Sequence, residues 1–170
     1  MISLVLLLTC SLLVGSAYAD SGECKESDSV DAWNVLMTPA GGTFLLVNST
    51  KTDAKDCLKA NGTGTKPNIN VTTQFKQGDQ WKTMYWNFAV EGNTTTATLV
   101  GTNVTIRGTI IYDDGNHKCH VYQVESEFEH WQRKDSTGGN EAPCCKEIFE
   151  TKSKGKTVVQ PQQKDCTEST

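Results

Sequence analysis

Cys144 and Cys145 are adjacent. Neighbouring Cα atoms are ~3.8 Å apart, below the separation a disulfide normally spans, so the two are poor partners for each other. If each reaches a different distant cysteine, one point near the C-terminus ties down two other parts of the chain. That constraint operates only in an oxidising compartment, and the N-terminus points to one. Leu4 to Val14 is almost wholly apolar, and Ala17-Tyr18-Ala19 has the small-x-small form of a cleavage site. Met1 to Ala19 therefore reads as a secretory signal, although no Lys or Arg precedes the apolar run. The run is too short to span a bilayer, and no second one follows. The expectation is a soluble, secreted chain starting near Asp20. Cys10 leaves with the signal. Cys24, Cys57, Cys119, Cys144, Cys145 and Cys166 remain, an even set that implies a disulfide framework. Zinc is the competing use, but no C-x-x-C or H-x-x-x-H spacing occurs. Spacing alone does not choose among the possible connectivities.

The formal net charge is −4, with Lys and Arg spread along the chain. This argues against nucleic acid or an anionic membrane as partner. Sequons begin at Asn48, Asn61, Asn70, Asn93 and Asn103, which predicts glycosylation and exposed positions for these asparagines.

The mature length suits one domain with its own core. Val30, Trp33, Leu36 and Met37 recur as on one helix face, with Asp28 or Ser29 as the cap and Trp33 as a core plug. Pro39 and Gly41-Gly42 end that helix. Strands are predicted over Thr43–Thr50, Ile69–Phe75, Trp81–Val90, Thr94–Val100, Val104–Tyr112, Lys118–Val124 and Phe128–Trp131, all rich in Val, Ile, Thr and aromatics. Asp53–Ala60 is a short element carrying Cys57. Turn signals such as Gln77-Gly78-Asp79 and Glu91-Gly92-Asn93 separate the strands. Serial short strands with tight turns make an antiparallel meander, and closure into a barrel removes its edges. Ser136–Pro143 is a polar loop, Glu141–Thr151 a second helix, and Ser153–Thr170 a polar tail held only by Cys166.

Catalytic and metal-binding motifs are lacking. There are three histidines (His117, His120 and His130), no G-x-S-x-G and no H-E-x-x-H. Asp113-Asp114 sits in an expected solvated turn. The expectation is a protein that is not an enzyme and needs neither cofactor nor metal. On Trp81–Phe88, Met84, Trp86 and Phe88 share one face and should point into the barrel, either as packing or as the wall of a ligand cavity. His120 and Tyr122 also share a face and enter the barrel if Cys119 and Val121 point outward. Arg107 is the only basic residue in an apolar strand. A buried guanidinium needs an anionic partner, so Arg107 either faces solvent or awaits an anionic ligand.

Several segments carry a resemblance to a known family. Val30-Asp31-Ala32-Trp33, Gly42-Thr43-Phe44-Leu45-Leu46, Asp56-Cys57-Leu58-Lys59, Trp86-Asn87-Phe88, Arg107-Gly108, Cys119-His120-Val121, Cys144-Cys145 and Asp165-Cys166 resemble the salivary lipocalins of ticks. The likeness is to the soft-tick moubatin group, which includes a complement inhibitor. It covers nearly all of residues 20–170 and implies an all-β, eight-stranded antiparallel lipocalin barrel with a helix at each end. The pairings it implies are Cys24–Cys144, Cys57–Cys166 and Cys119–Cys145.

The function implied is stoichiometric sequestration of host mediators, blunting inflammation, platelet aggregation and haemostasis; the lack of a long apolar patch separately predicts a monomer. Similar amine binders (histamine or serotonin) carry Asp after the cysteine matching Cys119, where this chain has His120. The resemblance therefore favours a leukotriene or thromboxane over an amine, and over the fifth complement component bound through the loops. Lys55, Arg107 and His120 would meet the lipid's carboxylate and hydroxyls. Leu36, Phe44, Leu58, Phe75, Trp86, Phe88 and Trp131 would line an apolar tunnel. Met84 and Tyr122 stand at ligand-facing positions that hold smaller or polar residues in the group.

Overall fold

The computed structural model describes residues 24–26, 29–37, 42–136, 143–163 and 166. The expected signal segment and most of the Ser136–Pro143 loop lie outside the described residues.

A six-residue helix, α1, runs Ala32–Met37. The backbone N–H of Trp33 donates to Asp31 Oδ1 at 3.0 Å, so Asp31 rather than Ser29 caps the helix; Asp28, the other expected cap, lies outside the described residues. Eight strands follow: β1 Thr43–Ser49, β2 Lys59–Thr65, β3 Asn68–Gln77, β4 Gln80–Glu91, β5 Thr94–Leu99, β6 Thr105–Asp113, β7 Cys119–Val124 and β8 Glu127–Arg133. Each pairs antiparallel with the next, and β8 returns to β1, closing the barrel. A C-terminal helix, α2, spans Pro143–Lys152.

The sequence did not mark β2 as a strand. Lys-Ala-Asn-Gly-Thr-Gly-Thr has low strand propensity, and its pairing with β3 along all seven residues supplies what propensity does not. Gly62 in β2 is a close-approach site. A Cβ there would come within 3.2 Å of the Leu36 carbonyl oxygen and 3.1 Å of Ile69, so glycine lets α1 settle onto β2 without displacing either neighbour.

Apolar side chains gather in three clusters among the described residues, one of them Phe44, Leu46 and Trp131 on β1 and β8. Ala32 and Val35 of α1 pack on Ile69, Val71, Val90 and Ile110 and close one end of the barrel. Trp33 is half-buried at the edge of this cluster, so Ala32 and Val35, rather than the indole, form the plug. Outside the barrel, Ile148 and Phe149 of α2 cover Val121, Cys119 and Phe128. All three disulfides join the pairs that the resemblance implies: Cys24–Cys144, Cys57–Cys166 and Cys119–Cys145.

Cys166 is not the only anchor of the C-terminal segment. Val159 bridges Ser49, the Gln162 carbonyl accepts from the Cys57 N–H, and the Gln163 side-chain amide donates to the Leu46 carbonyl. Backbone groups that would otherwise stay unpaired at the edge of β1 are thereby satisfied. Asp113 is likewise not solvated. Burial raises its carboxyl pKa, and the His117 ring nitrogen 2.9 Å away opposes that rise.

Asn70 and Asn103 are exposed, as expected of sequon asparagines. Asn48 is not. It faces His130 across the β1–β8 pair, and its side-chain nitrogen lies 3.2 Å from His130 Nδ1.

Candidate functional site

Strand periodicity builds a cavity of about 430 Å³ inside the barrel. Phe44 comes from β1; Ala60 from β2; Val71, Thr73 and Phe75 from β3; Met84, Trp86 and Phe88 from β4. Ile106 comes from β6; His120, Tyr122 and Val124 from β7; Glu129 and Trp131 from β8. Leu36 reaches in from α1, and Lys51, Asp53, Lys55 and Leu58 stand on the segment between β1 and β2. Eleven of the twelve expected ligand-facing residues thus converge on one space: Leu36, Phe44, Lys55, Leu58, Phe75, Met84, Trp86, Phe88, His120, Tyr122 and Trp131.

Arg107 does not join them. Ile106 lines the cavity, and Gly108 and Ile110 are buried on the same face of β6. A strand turns successive side chains to opposite faces, so Arg107 points to solvent, beside Glu91 and Glu125. Arg107→Ala is therefore expected to leave the affinity of any cavity ligand within about two-fold, because an exposed charge outside the wall is screened. Isothermal titration of the variant checks this, and a ten-fold loss would contradict the placement.

Sequence reasoning missed Glu129. The signal was available, because once Trp131 faces inward the residue two earlier must too. Its carboxylate accepts from the Trp131 indole N–H at 3.0 Å, and Lys51 Nζ lies 3.9 Å away. Burial raises its pKa above the usual carboxylate range, against the pull of Lys51 and the indole.

His120 is buried between Phe44, 4.8 Å away edge-on, and Trp131, stacked at 6.5 Å. Burial, assisted by the charges of His130 and His117, lowers its pKa to about 3, so the ring is neutral at physiological pH. His120 Nδ1 makes no hydrogen bond within the described structure. A buried polar atom without a partner is costly, and a ligand hydroxyl or carbonyl could supply one. The other indole N–H in the wall is already used, Trp86 donating to Thr73 Oγ1 at 3.2 Å. Burial also pushes the Tyr122 phenol up to about 12, so it stays protonated. The cavity can therefore take an apolar body along its aromatic wall, with hydrogen bonding at His120 and charged groups near Lys51, Lys55 and Glu129.

Cys119, His130 and Cys145 bring potential metal-ligand atoms within 4.8 Å of one another. Both sulfurs belong to one disulfide, so the group has no thiolate to offer.

No protein-family model matches the chain. AM182, solved as a serotonin complex, has the same fold with a TM-score of 0.73 at 18% identity, over 85% of this chain and 97% of that one. Insecticyanin of the tobacco hornworm Manduca sexta gives 0.63 at 10% identity, over 86% and 89%. At such identities the likeness establishes the fold alone. Moubatin of Ornithodoros moubata is 37% identical over 153 residues, which is 88% of each chain. Identity of that extent, on a closed eight-stranded barrel with an internal cavity, shows descent as well as shape: the chain belongs to the tick lipocalins, a family of ligand carriers rather than enzymes.

Proposed function

We propose that the protein is a secreted salivary carrier that sequesters a host lipid mediator, a leukotriene or thromboxane, within its barrel. The observation that carries this reading is the division of the cavity wall. Aromatic and aliphatic side chains form most of it, while Lys51 and Lys55 line it from the segment between β1 and β2, with Asp53 the one acidic residue among them there. An elongated apolar chain with one anionic head matches that division: the tail is buried among apolar side chains, and the carboxylate remains near cations. Arg107 has no part in this reading, and the anion falls to the two lysines. His120 Nδ1 would meet a hydroxyl along the chain. Sequestration of this kind needs abundance and affinity rather than turnover, which fits a family of carriers.

A biogenic amine is the second reading, and Glu129 favours it. A buried carboxylate beside the Trp131 indole is a cation site in form, and AM182 was solved with serotonin. Against it, Lys51 already stands near that carboxylate, and burial favours its neutral form.

Tryptophan fluorescence separates the two, since Trp86 and Trp131 both line the cavity. A titration panel of a dihydroxy leukotriene, a cysteinyl leukotriene, a stable thromboxane mimic, histamine and serotonin is expected to show saturable one-to-one quenching by a lipid. Lys55→Glu should weaken that lipid roughly three- to ten-fold, the range for a solvent-screened charge. Quenching by an amine alone, abolished in Glu129→Gln, would replace the lipid reading with the amine one. Silence from the whole panel would overturn both.

A further inference from the structure

Tyr122 faces the cavity from β7, but its hydroxyl is already engaged. It lies 2.5 Å from Thr95 Oγ1 on β5, a fully buried threonine. The phenol must cross β6 to get there. Thr95 pairs directly with Gly108 of β6, and Gly108 pairs with Val124, two residues beyond Tyr122 on the same face of β7. The ring therefore runs diagonally over Gly108. A Cβ at position 108 would lie 2.1 Å from the phenol oxygen and 2.2 Å from Cζ. The space the ring occupies exists because residue 108 has no side chain.

These three residues shape the β5–β6 side of the barrel interior. Leu36, Trp86 and Phe88 line the cavity and also pack against the closed-end cluster, so ligand space and core meet at these side chains and at the ring. Thr95, Gly108, Val90 and Ile110 do not line it, although all four are buried. Val90 and Ile110 belong to the cluster that α1 closes, and Tyr122 packs against that cluster. The phenol thus forms part of the boundary between ligand space and closed-end core, held at its far end by Thr95.

We propose that Tyr122, latched to Thr95 across Gly108, is the floor of the cavity and sets the length of apolar chain the protein accepts. The inference rests on reading the cavity as a lipid site. It assigns the limit to one side chain, placed by two others that a ligand does not touch. Removing the ring opens the space over Gly108 toward Ile110. Adding a methyl group at 108 drives the ring off β6 and into the cavity.

The test uses saturated straight-chain fatty acids of about 10 to about 20 carbons, titrated by tryptophan quenching. Affinity for the wild-type chain is expected to rise roughly four-fold per methylene while each one is buried, then to stop rising at the length that meets the ring. In Tyr122→Ala the rise continues to longer chains, and in Gly108→Ala it stops at shorter ones. Tyr122→Leu, which keeps apolar packing but drops the ring and hydroxyl, serves if the alanine variant does not fold, and is expected to lengthen the limit as well. The same limit in all variants, or an equal loss of affinity at every length, would assign Tyr122 a structural role only and overturn the proposal. No binding of any acid by wild type or variants would overturn the lipid reading and this inference with it.

Discussion

Reducing the three disulfides is expected to abolish cooperative folding. They close sequence separations of 120, 109 and 26 residues. In the chain-entropy account, separations of this size are each worth about 3 to 5 kcal/mol, so losing all three removes on the order of 10 kcal/mol. That matches the whole net stability of a typical domain. The loops overlap, which lowers the sum but not its order. The bridges also reinforce elements outside the barrel: Cys119–Cys145 fixes α2 on β7, and Cys57–Cys166 fixes the C-terminal segment beside the cavity-lining segment. A thermal melt by near-ultraviolet circular dichroism, with and without reductant, checks the expectation. A cooperative transition that survives full reduction with its midpoint lowered by only a few degrees would refute it.

Mild acid is expected to weaken the fold by several kcal/mol before most carboxylates titrate. His130 is fully buried beneath α2, beside Phe149 and Asn48. Burial, assisted by the Lys146 charge, lowers its pKa from 6.5 to about 4, and His120 is lowered further, to about 3. The unfolded chain takes up these protons near the ordinary value, and the native chain does not until the lowered one. Between those values the unfolded state binds more protons, so stability falls as pH drops from the ordinary histidine value toward about 4. At about 1.4 kcal/mol per pKa unit, His130 alone removes roughly 3 kcal/mol across that window. Glu129 acts in the opposite sense. Its raised pKa favours the fold at acid pH, and that contribution is lost as pH rises through the folded value. The histidines dominate because there are two of them and both shifts are large. Chemical denaturation at about pH 4.5 and about pH 7.5 measures the difference, and His130→Gln is expected to flatten the profile by about half. Equal stability at the two pH values in the wild-type chain would overturn the assignment.

Much of the architecture was legible in the residues because a strand has a period of two and turns have a chemistry. Met84, Trp86 and Phe88 share a face whatever lies opposite them, and Gly78 and Gly92 end strands because their positive φ suits a turn. The same period places Ile106 and Ile110 on one face of β6 and Arg107 on the other, and it ties Glu129 to Trp131. Those two assignments could have been drawn from one strand at a time. The ends of the chain were less legible. The α1 cap falls on Asp31, and the C-terminal segment is pinned by backbone hydrogen bonds that leave no compositional trace.

The sequence by itself determined the class of fold, the inward face of most strands and the two-way clasp at Cys144-Cys145, because each depends on neighbours a few residues apart. Only the tertiary structure decided that Lys-Ala-Asn-Gly-Thr-Gly-Thr is a strand, that the barrel holds an open cavity, and that Glu129 approaches Lys51 while Tyr122 crosses Gly108 to Thr95. Those outcomes depend on inter-strand register and closure. Register is set by summed pairing along whole strands, so a contact such as Tyr122 with Thr95, 27 residues apart in sequence, exists only after the sheet has closed.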